Sequence, residues 1–342
     1  MAMQKTSTIY DIAKKMGISP ATVSRGLQNN EAVKKETRNK IFSVARELGY
    51  RTNTFAKSLR TGKTRTIGVI VPTLNSNFMS AVLAGMETAA ANEKYNLIVS
   101  QSMESFEKQK VCVHAMMDRQ VDGLLISLAS DSPDIEHLRT LFANTPVVFF
   151  DRAENTDDYT NILIDNFKSA RKLTQHLIEQ GCTRLMHIGG NKMRKVYADR
   201  LEGFKQALKD NNLPYNPDWM MDCDLSENAG IKAAEFILNM KDKPDGVIVA
   251  NDHCAVHCML YLQKKGIKIP QDIAFAGFNN DAVCKVVQPN LTTVDYPGHT
   301  LGETTIQMLL KHISGGILAN TNTILLRAPV IVRASSLRKG QA

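Results

Sequence analysis

The chain has 342 residues, of which 43% are hydrophobic and 22% are charged. This composition is typical of a globular protein that is too long for one compact core. No apolar run reaches the roughly 20 residues of a membrane-spanning helix, and the N-terminus lacks the apolar core of a signal peptide. We therefore expect a cytoplasmic protein rather than a membrane or exported one.

The net charge of +8 is concentrated at one end of the chain. Residues 1–65 contain 14 Lys or Arg and 4 Asp or Glu, a net charge of +10, whereas the remaining residues carry −2. A uniformly basic protein would have only loose affinity for polyanions. A basic module on a neutral body indicates one surface that meets phosphates, as in a nucleic-acid-binding protein.

Residues 1–50 carry the signals of three short helices. Thr8 is a good N-cap for the first helix. Ser19, followed by Pro20 at the first helical position, starts the second helix after a tight turn that contains glycine. The third helix is predicted at about 35–48. This pattern predicts a helix-turn-helix headpiece.

From residue 66 the sequence alternates short apolar runs with amphipathic helical patterns. Such alternation predicts parallel strands that are covered by helices on both faces. The runs fall into two sets, which predicts two doubly wound lobes with a ligand cleft between them. The predicted strands are Ile67–Val71, Asn96–Val99, Gly123–Ile126, Val147–Phe150, Asn161–Ile164, Arg184–Ile188, Gly246–Ala250, Ile273–Gly277 and Thr292–Val294.

Several motifs occur in a specific order along the chain. They are TIYDIAKKMGISPATVSR at 8–25, VKKETR at 33–38, ELGY at 47–50, GVIVP at 68–72, DR at 151–152, RLEGF at 200–204, AND at 250–252, GF at 277–278 and PNLTTV at 289–294. With these motifs the chain resembles the LacI/GalR family of bacterial transcription regulators over its whole length.

The resemblance implies a multi-domain fold. An all-α helix-turn-helix headpiece at 1–50 and a hinge helix or linker at 51–65 precede an α/β core like that of periplasmic binding proteins at 66–342. The chain is expected to cross between the two lobes of this core three times. The N-lobe is expected at about 66–164 and 294–327, and the C-lobe at about 165–293 and 328–342.

The second helix of a helix-turn-helix presents its first residues to base edges in the major groove. Arg25 can bond to guanine O6 and N7 together, and the resemblance implies this role for it. The resemblance also implies that Leu59 of the hinge wedges into the minor groove. For Thr8 and Thr37, helix capping is the alternative to a phosphate contact. The predicted DNA-binding residues are Thr8, Tyr10, Ser19, Pro20, Ala21, Thr22, Ser24, Arg25, Asn29, Thr37, Asn53, Ala56 and Leu59.

The resemblance also implies a ligand pocket, formed by residues near the ends of the predicted strands. Arg200 can bind a carboxylate, a phosphate or paired sugar hydroxyls with its planar guanidinium. The predicted effector-binding residues are Asn75, Phe78, Asp151, Arg152, Arg200, Asn251, Asp252, Phe278 and Asn279.

Two positions depart from the family pattern. Gly26 replaces the usual apolar residue after the arginine of the second helix, and we expect it to shorten that helix. Asn279 stands where relatives have an aspartate. The neutral amide leaves room for a sugar acid or a phosphorylated sugar as effector, with a nucleobase as the next possibility.

The six cysteines are scattered, and we expect them to be reduced and mostly buried. His253, Cys254, His257 and Cys258 lie one turn apart on a predicted helix, which is a spacing that can bind zinc. The resemblance places an ordinary surface helix there. We therefore expect no metal and no cofactor, with zinc as the alternative.

Together these features predict a sequence-specific DNA-binding transcription regulator, a repressor rather than an activator. A small carbohydrate-derived effector between the lobes would control it, and a homodimer would bind a near-palindromic operator. A sugar-binding transport or sensing protein shares the two-lobed core, but the basic headpiece argues against it. An enzyme is not expected, because the sequence has no P-loop, no G-x-G-x-x-G after a strand and no Ser-His-Asp grouping.

Overall fold

The computed structural model describes residues 7–50, 62–132, 135–142, 145–153, 158–315 and 321–338. The chain divides into two compact units, Met1–Thr64 and Arg65–Ala342. Among the described helices, none combines the length with the apolar character that crossing a bilayer requires.

The first unit contains three helices, Ile9–Met16 (α1), Pro20–Leu27 (α2) and Lys35–Glu47 (α3). Local signals set their ends. The backbone N–H of Thr8 donates to Asp11 Oδ2 over 2.7 Å at the start of α1, and the Thr22 N–H donates to Ser19 Oγ over 3.1 Å at the start of α2. Each bond satisfies an N–H that has no partner inside the helix.

Gly26 is expected to shorten α2 at its end, and the helix includes Gly26 and ends one residue later, at Leu27. Gly26 is buried where α2 packs on α3. A Cβ at this position would lie 2.3 Å from Cδ1 of Ile41, which is itself fully buried. The glycine therefore serves the close approach of two helices, with the Ile41 side chain filling the space.

The second unit contains two six-stranded sheets with helices on their faces. The strands of the first sheet are Thr66–Val71 (β1), Asn96–Gln101 (β2), Gly123–Ile126 (β3), Val147–Phe150 (β4), Thr160–Ile164 (β5) and Thr323–Leu326 (β11). Those of the second are Leu185–Gly189 (β6), Met220–Asp222 (β7), Gly246–Val249 (β8), Ala274–Phe278 (β9), Thr292–Val294 (β10) and Val330–Ile331 (β12).

Their spatial orders are β11-β5-β4-β3-β1-β2 and β12-β10-β9-β8-β6-β7. Neighbouring strands are parallel except β10 and β12. The described helices of this unit are Asn77–Asn92 (α4), Phe106–Asp118 (α5), Glu136–Phe142 (α6), Asn166–Glu179 (α7), Lys195–Asp210 (α8), Glu227–Asn239 (α9), Asp252–Lys264 (α10), Val283–Val286 (α11) and Gly298–Ile313 (α12).

The predicted fold class is confirmed, with two parallel-sheet lobes in the second unit. All nine predicted strands are present, with ends within two residues of the prediction. The chain passes between the sheets after β5, after β10 and after β11. The strands that sequence reasoning missed are β7, β11 and β12. They are short or half-exposed, so they lack the continuous apolar run of a buried parallel strand.

Two helices of the first lobe approach each other through glycines. A Cβ at Gly302 of α12 would lie 2.0 Å from the backbone oxygen of Val82 in α4. A Cβ at Gly85 of α4 would lie 2.1 Å from the backbone oxygen of His299 in α12. Because backbone atoms cannot move aside as a side-chain tip can, both positions require glycine at this helix separation.

Candidate DNA-binding surface and effector cavity

Ten of the predicted DNA-binding residues lie in the described part of the first unit, whereas Asn53, Ala56 and Leu59 fall outside the described residues. The ten occupy the start of α1, the start and outer face of α2, the turn after it and the first turn of α3. Six of them are exposed: Thr8, Tyr10, Ser19, Ala21, Arg25 and Asn29. The other four are half-buried: Pro20, Thr22, Ser24 and Thr37.

The exposed face of α2 is fixed by its buried face. Val23 is fully buried in the headpiece core, so Arg25 projects on the opposite side. Arg25 is exposed, and its side chain makes no hydrogen bond to any described residue. Its guanidinium is therefore available for a ligand outside this unit, such as a base edge.

Several neighbouring polar residues already have local roles. Ser19 caps α2, and Ser24 Oγ accepts a hydrogen bond from Gln28 Nε2 over 3.2 Å. Asn29 has a φ of 56°, and its carbonyl oxygen accepts from Arg38 Nη1 over 2.9 Å. These contacts hold the turn between α2 and α3, and they do not use the side chain of Asn29.

A cavity of about 580 Å³ lies between the two lobes of the second unit. Its lining residues follow the carboxyl ends of strands from both sheets, where ligands of doubly wound sheets bind. Seven of the predicted effector-binding residues line it: Asn75, Phe78, Asp151, Arg152, Arg200, Asn251 and Asn279.

Two other predicted effector-binding residues, Asp252 and Phe278, do not line this cavity and are fully buried. Phe278 packs beneath Arg200, with the guanidinium carbon 4.4 Å from the ring centroid. Asp252 Oδ1 accepts from Thr293 Oγ1 over 2.7 Å, and its Oδ2 accepts from the Asp281 N–H over 2.9 Å. Both residues therefore support the cavity wall and do not reach its interior.

Arg200 is held in the wall by groups from three other parts of the chain. Its Nε donates to Asn166 Oδ1 over 2.9 Å, Nη1 donates to the Ala250 carbonyl, and Nη2 donates to the Tyr296 hydroxyl. The residue is only 3% exposed. These contacts use three of its five N–H donors and fix the direction of the other two.

Arg152 is paired inside the first lobe. Its Nη1 lies 3.0 Å and 2.8 Å from the two carboxylate oxygens of Glu104. Burial raises the pKa of Glu104, but the charge and hydrogen bonds of Arg152 and the hydrogen bonds from Ser130 together outweigh this effect, so that the pKa lies below its ordinary value. The pair is therefore charged at neutral pH, and the positive charge of Arg152 is already balanced.

Sequence reasoning missed Glu104, Tyr197, Asp281 and Tyr296, which also line the cavity. Asp281 and Tyr296 lie shortly after β9 and β10. The rule that ligands bind beyond the strand ends would have pointed to these two and to Glu104, which follows β2. Tyr197 lies in α8, and no local pattern in the sequence singles it out.

The two lobes also touch directly beside this cavity. Arg194, before α8, donates from Nε to the carbonyl of Ser130 over 2.7 Å and from Nη2 to the carbonyl of Ser132. Arg194 and Ser132 line a further cavity of about 670 Å³, which shares Asp151 and Arg152 with the first one. Because these bonds join the lobes, opening of the cleft must break them.

The alternative zinc site gains no support from the described residues, which contain no group of three or more His, Cys, Asp or Glu that could hold a metal. Cys254 and Cys258 are fully buried in the core of the second lobe. His253 Nε2 lies 3.8 Å from Asp281 Oδ2, and His257 Nε2 lies 3.4 Å from Glu227 Oε2. All six cysteines are free thiols.

Asp252 gives the core a specific pH dependence. Burial raises its pKa to about 7, from about 3.9 in an unfolded chain. A raised native pKa favours the protonated form, so its contribution to stability is full below about pH 4 and is lost as pH rises through about 7. We expect the free energy of unfolding of the wild type, relative to that of Asp252→Asn, to fall between about pH 4 and 7. Urea titrations of both proteins measure this difference, and a difference that stays constant over this range would contradict the assignment.

Each of the two units matches a known protein family. The model of "Bacterial regulatory proteins, lacI family" matches residues 8–53, and that of a periplasmic binding protein-like domain matches 174–336. Catabolite control protein A of Priestia megaterium is 32% identical over 309 residues, 90% of this chain and 92% of that protein.

Two solved structures are similar in fold. The lac repressor dimer bound to operator and the anti-inducer ONPF has a TM-score of 0.89 and 25% identity over 97% of this chain and all of that chain. A periplasmic binding protein/LacI transcriptional regulator from Alkaliphilus metalliredigens in complex with D-xylulofuranose has a TM-score of 0.69 and 27% identity. It covers 80% of this chain and 99% of that one. The identity and coverage of these relatives show that the chain belongs to the lacI family of bacterial regulatory proteins, which are DNA-binding transcription regulators.

Proposed function

We propose that this regulator is a repressor whose headpiece binds an operator and whose interlobe cavity binds a small hydroxyl-rich effector. The observation that carries the proposal is the combination of two features in one chain. One is a basic helix-turn-helix unit with exposed Arg25. The other is a cavity of about 580 Å³ at the strand ends of two lobes. Such a protein would act in the bacterial cytoplasm, where chromosomal DNA lies.

The headpiece residues have distinct proposed roles. Arg25 reads a guanine in the major groove, while Pro20 and Ala21 contact thymine methyl groups. The residues at helix starts and turns, such as Tyr10 and Asn29, contact phosphates and set the orientation on the duplex. Leu59 inserts into the minor groove at the centre of the operator.

The mode of assembly follows from the relatives. The lac repressor is a dimer on its operator in the solved complex, and we propose the same arrangement for this chain. Two headpieces then read half-sites in successive major grooves, and the operator is near-palindromic because the protein has two-fold symmetry.

The core couples the two binding events. The effector binds between the lobes and changes the closure of the cleft, which breaks or forms interlobe bonds such as that of Arg194 to Ser130. Effector binding thereby shifts the protein between two states with different affinity for DNA.

A gel-shift assay with the promoter region beside the gene tests this function. We expect a complex that survives excess random DNA at moderate salt, and we expect candidate sugars to weaken or strengthen it. A transport-type sugar-binding protein would bind the sugars but retain no sequence preference on DNA. Loss of the complex to equal amounts of random duplex would contradict the proposal.

A further inference from the structure

The cavity between the lobes contains more acidic than basic side chains. Five carboxylates line it, from Glu104, Asp151, Asp224, Glu227 and Asp281, against two guanidinium groups and one histidine. This balance differs from what a sugar acid or a phosphorylated sugar requires. Either anion would be placed among like charges at short range, where repulsion is strong.

The two arginines of the cavity do not form a free anion site. Glu104 balances the charge of Arg152 through contacts of 3.0 Å and 2.8 Å. Three donors of Arg200 are engaged by neutral groups of the protein, and aromatic rings pack against its guanidinium carbon at 4.4 Å and 5.1 Å. An anionic ligand would be left with the two remaining N–H donors of Arg200.

Among the described residues, Asp281 has no Lys or Arg within ion-pair distance, whereas Asp151 lies near two arginines. Asp151 lies in the first lobe, directly after β4, and Arg152 and Arg200 partly offset the effect of burial on its carboxylate. Asp281 lies in the second lobe and is 6% exposed, with the half-exposed His253 3.8 Å away. Burial raises the pKa of both carboxyl groups above their ordinary values. A cation that entered the cavity would relieve this cost of burial.

The other residues that line the cavity suit a ligand with many hydroxyl groups. Asn75, Asn77, Asn251 and Asn279 line the same cavity, and an amide both donates to and accepts from hydroxyl groups. Tyr197 and Phe78 add aromatic surface of the kind that packs on sugar rings. The size of the cavity lies within the range of known small-molecule sites.

We propose that the effector of this regulator is an amino sugar or a comparable polyhydroxylated amine, and that Asp281 binds its ammonium group. The proposal rests on the effector function above and assigns the chemical class of that effector.

Calorimetry and thermal shift on the full chain test the proposal with sets of sugars that share one skeleton. One set is D-glucosamine, D-glucose, N-acetyl-D-glucosamine and D-gluconate, and a second set is its galactose counterpart. We expect at least one amine to bind at least tenfold more tightly than its neutral and acidic counterparts, and this preference to weaken at high salt. Equal or tighter binding of neutral or acidic members would overturn the amine assignment, as would the absence of amine binding at 10 mM, about the weakest affinity such assays detect.

The Asp281→Asn substitution removes the negative charge and keeps the size of the side chain, so it tests the charge separately from the shape of the site. We expect this variant to lose at least tenfold in affinity for the amine, because a charge-assisted hydrogen bond is replaced by a neutral one. Binding of the neutral counterpart should change less than about threefold. Asp222→Asn is the matched control, since Asp222 is paired with Lys192 at 2.7 Å outside the cavity lining, and it should change neither affinity.

The outcomes also separate this inference from the proposed function. If Asp281→Asn weakens amine and neutral sugar equally, Asp281 only maintains the cavity and the amine assignment fails. If neutral or acidic sugars alter operator binding, the effector-controlled regulator remains and only the effector class is wrong. If no member of any class stabilises the core or alters operator binding, the sensing function itself is contradicted.

Discussion

Replacement of Arg25 by alanine is expected to lower affinity for the operator by roughly 5- to 150-fold while leaving affinity for random DNA nearly unchanged. A bidentate contact with guanine discriminates by about 1–3 kcal/mol, and each 1.4 kcal/mol corresponds to a factor of ten. Arg25 is exposed on the face of α2 opposite the buried Val23, so the substitution leaves the headpiece core intact. Fluorescence anisotropy with operator and random duplexes at one fixed salt concentration measures both affinities.

Arg46→Ala provides the matched control for this prediction. Arg46 is exposed in the last turn of α3, and its loss removes the same charge outside the proposed DNA-binding residues. It should lower both affinities slightly and leave their ratio unchanged. If Arg25→Ala also leaves the ratio unchanged, Arg25 contributes only charge and does not read the sequence.

Replacement of Gly302 by valine is expected to cost about 3 kcal/mol or more of the free energy of unfolding of the core. The added Cβ would lie 2.0 Å from the Val82 oxygen and 2.8 Å from the Met86 nitrogen. Overpacking of a well-packed core typically costs about 1–3 kcal/mol, and here the obstructing atoms belong to a backbone. Helices α4 and α12 must therefore separate, which strains the first lobe.

The Gly302→Ala variant tests whether the close approach of α4 causes this loss of stability. In an exposed helix the change from glycine to alanine stabilises by about 1 kcal/mol, so a destabilised alanine variant can only reflect the close approach of α4. Gln307→Ala is the control, because Gln307 is exposed on the same helix, and it should change stability by less than about 0.5 kcal/mol. Urea unfolding followed by circular dichroism measures all three variants. A Gly302→Ala variant as stable as the wild type would show that the two helices do not pack this closely.

Much of the fold could be predicted because its signals are local. Ser19 with Pro20 begins α2, since the cap and the fixed φ of proline act within one turn. The continuous apolar runs of β3 and β4 gave the observed ends of both strands, because a parallel strand that is buried on both faces has no polar positions. The half-exposed alternation of β11 resembles a loop when its neighbours are unknown.

The candidate site could be predicted only in part. The resemblance and the rule on strand ends identified seven of the lining residues. Neither could distinguish Asn251, which lines the cavity, from its neighbour Asp252, which is buried behind it. Whether a side chain faces the cavity or the core depends on the turn that follows the strand, and this turn is set by tertiary contacts.

The sequence alone determined the basic headpiece, the alternation of strands and helices and the position of Arg25, because these properties depend on residues within a few positions of each other. Only the tertiary structure decided that Arg200 is held by Asn166, Ala250 and Tyr296 and that Asp281 shares a cavity with Asp151. These groups are far apart in the chain. They meet because the chain crosses between two lobes, and periodicity within one element carries no information about which distant residues such crossings bring together.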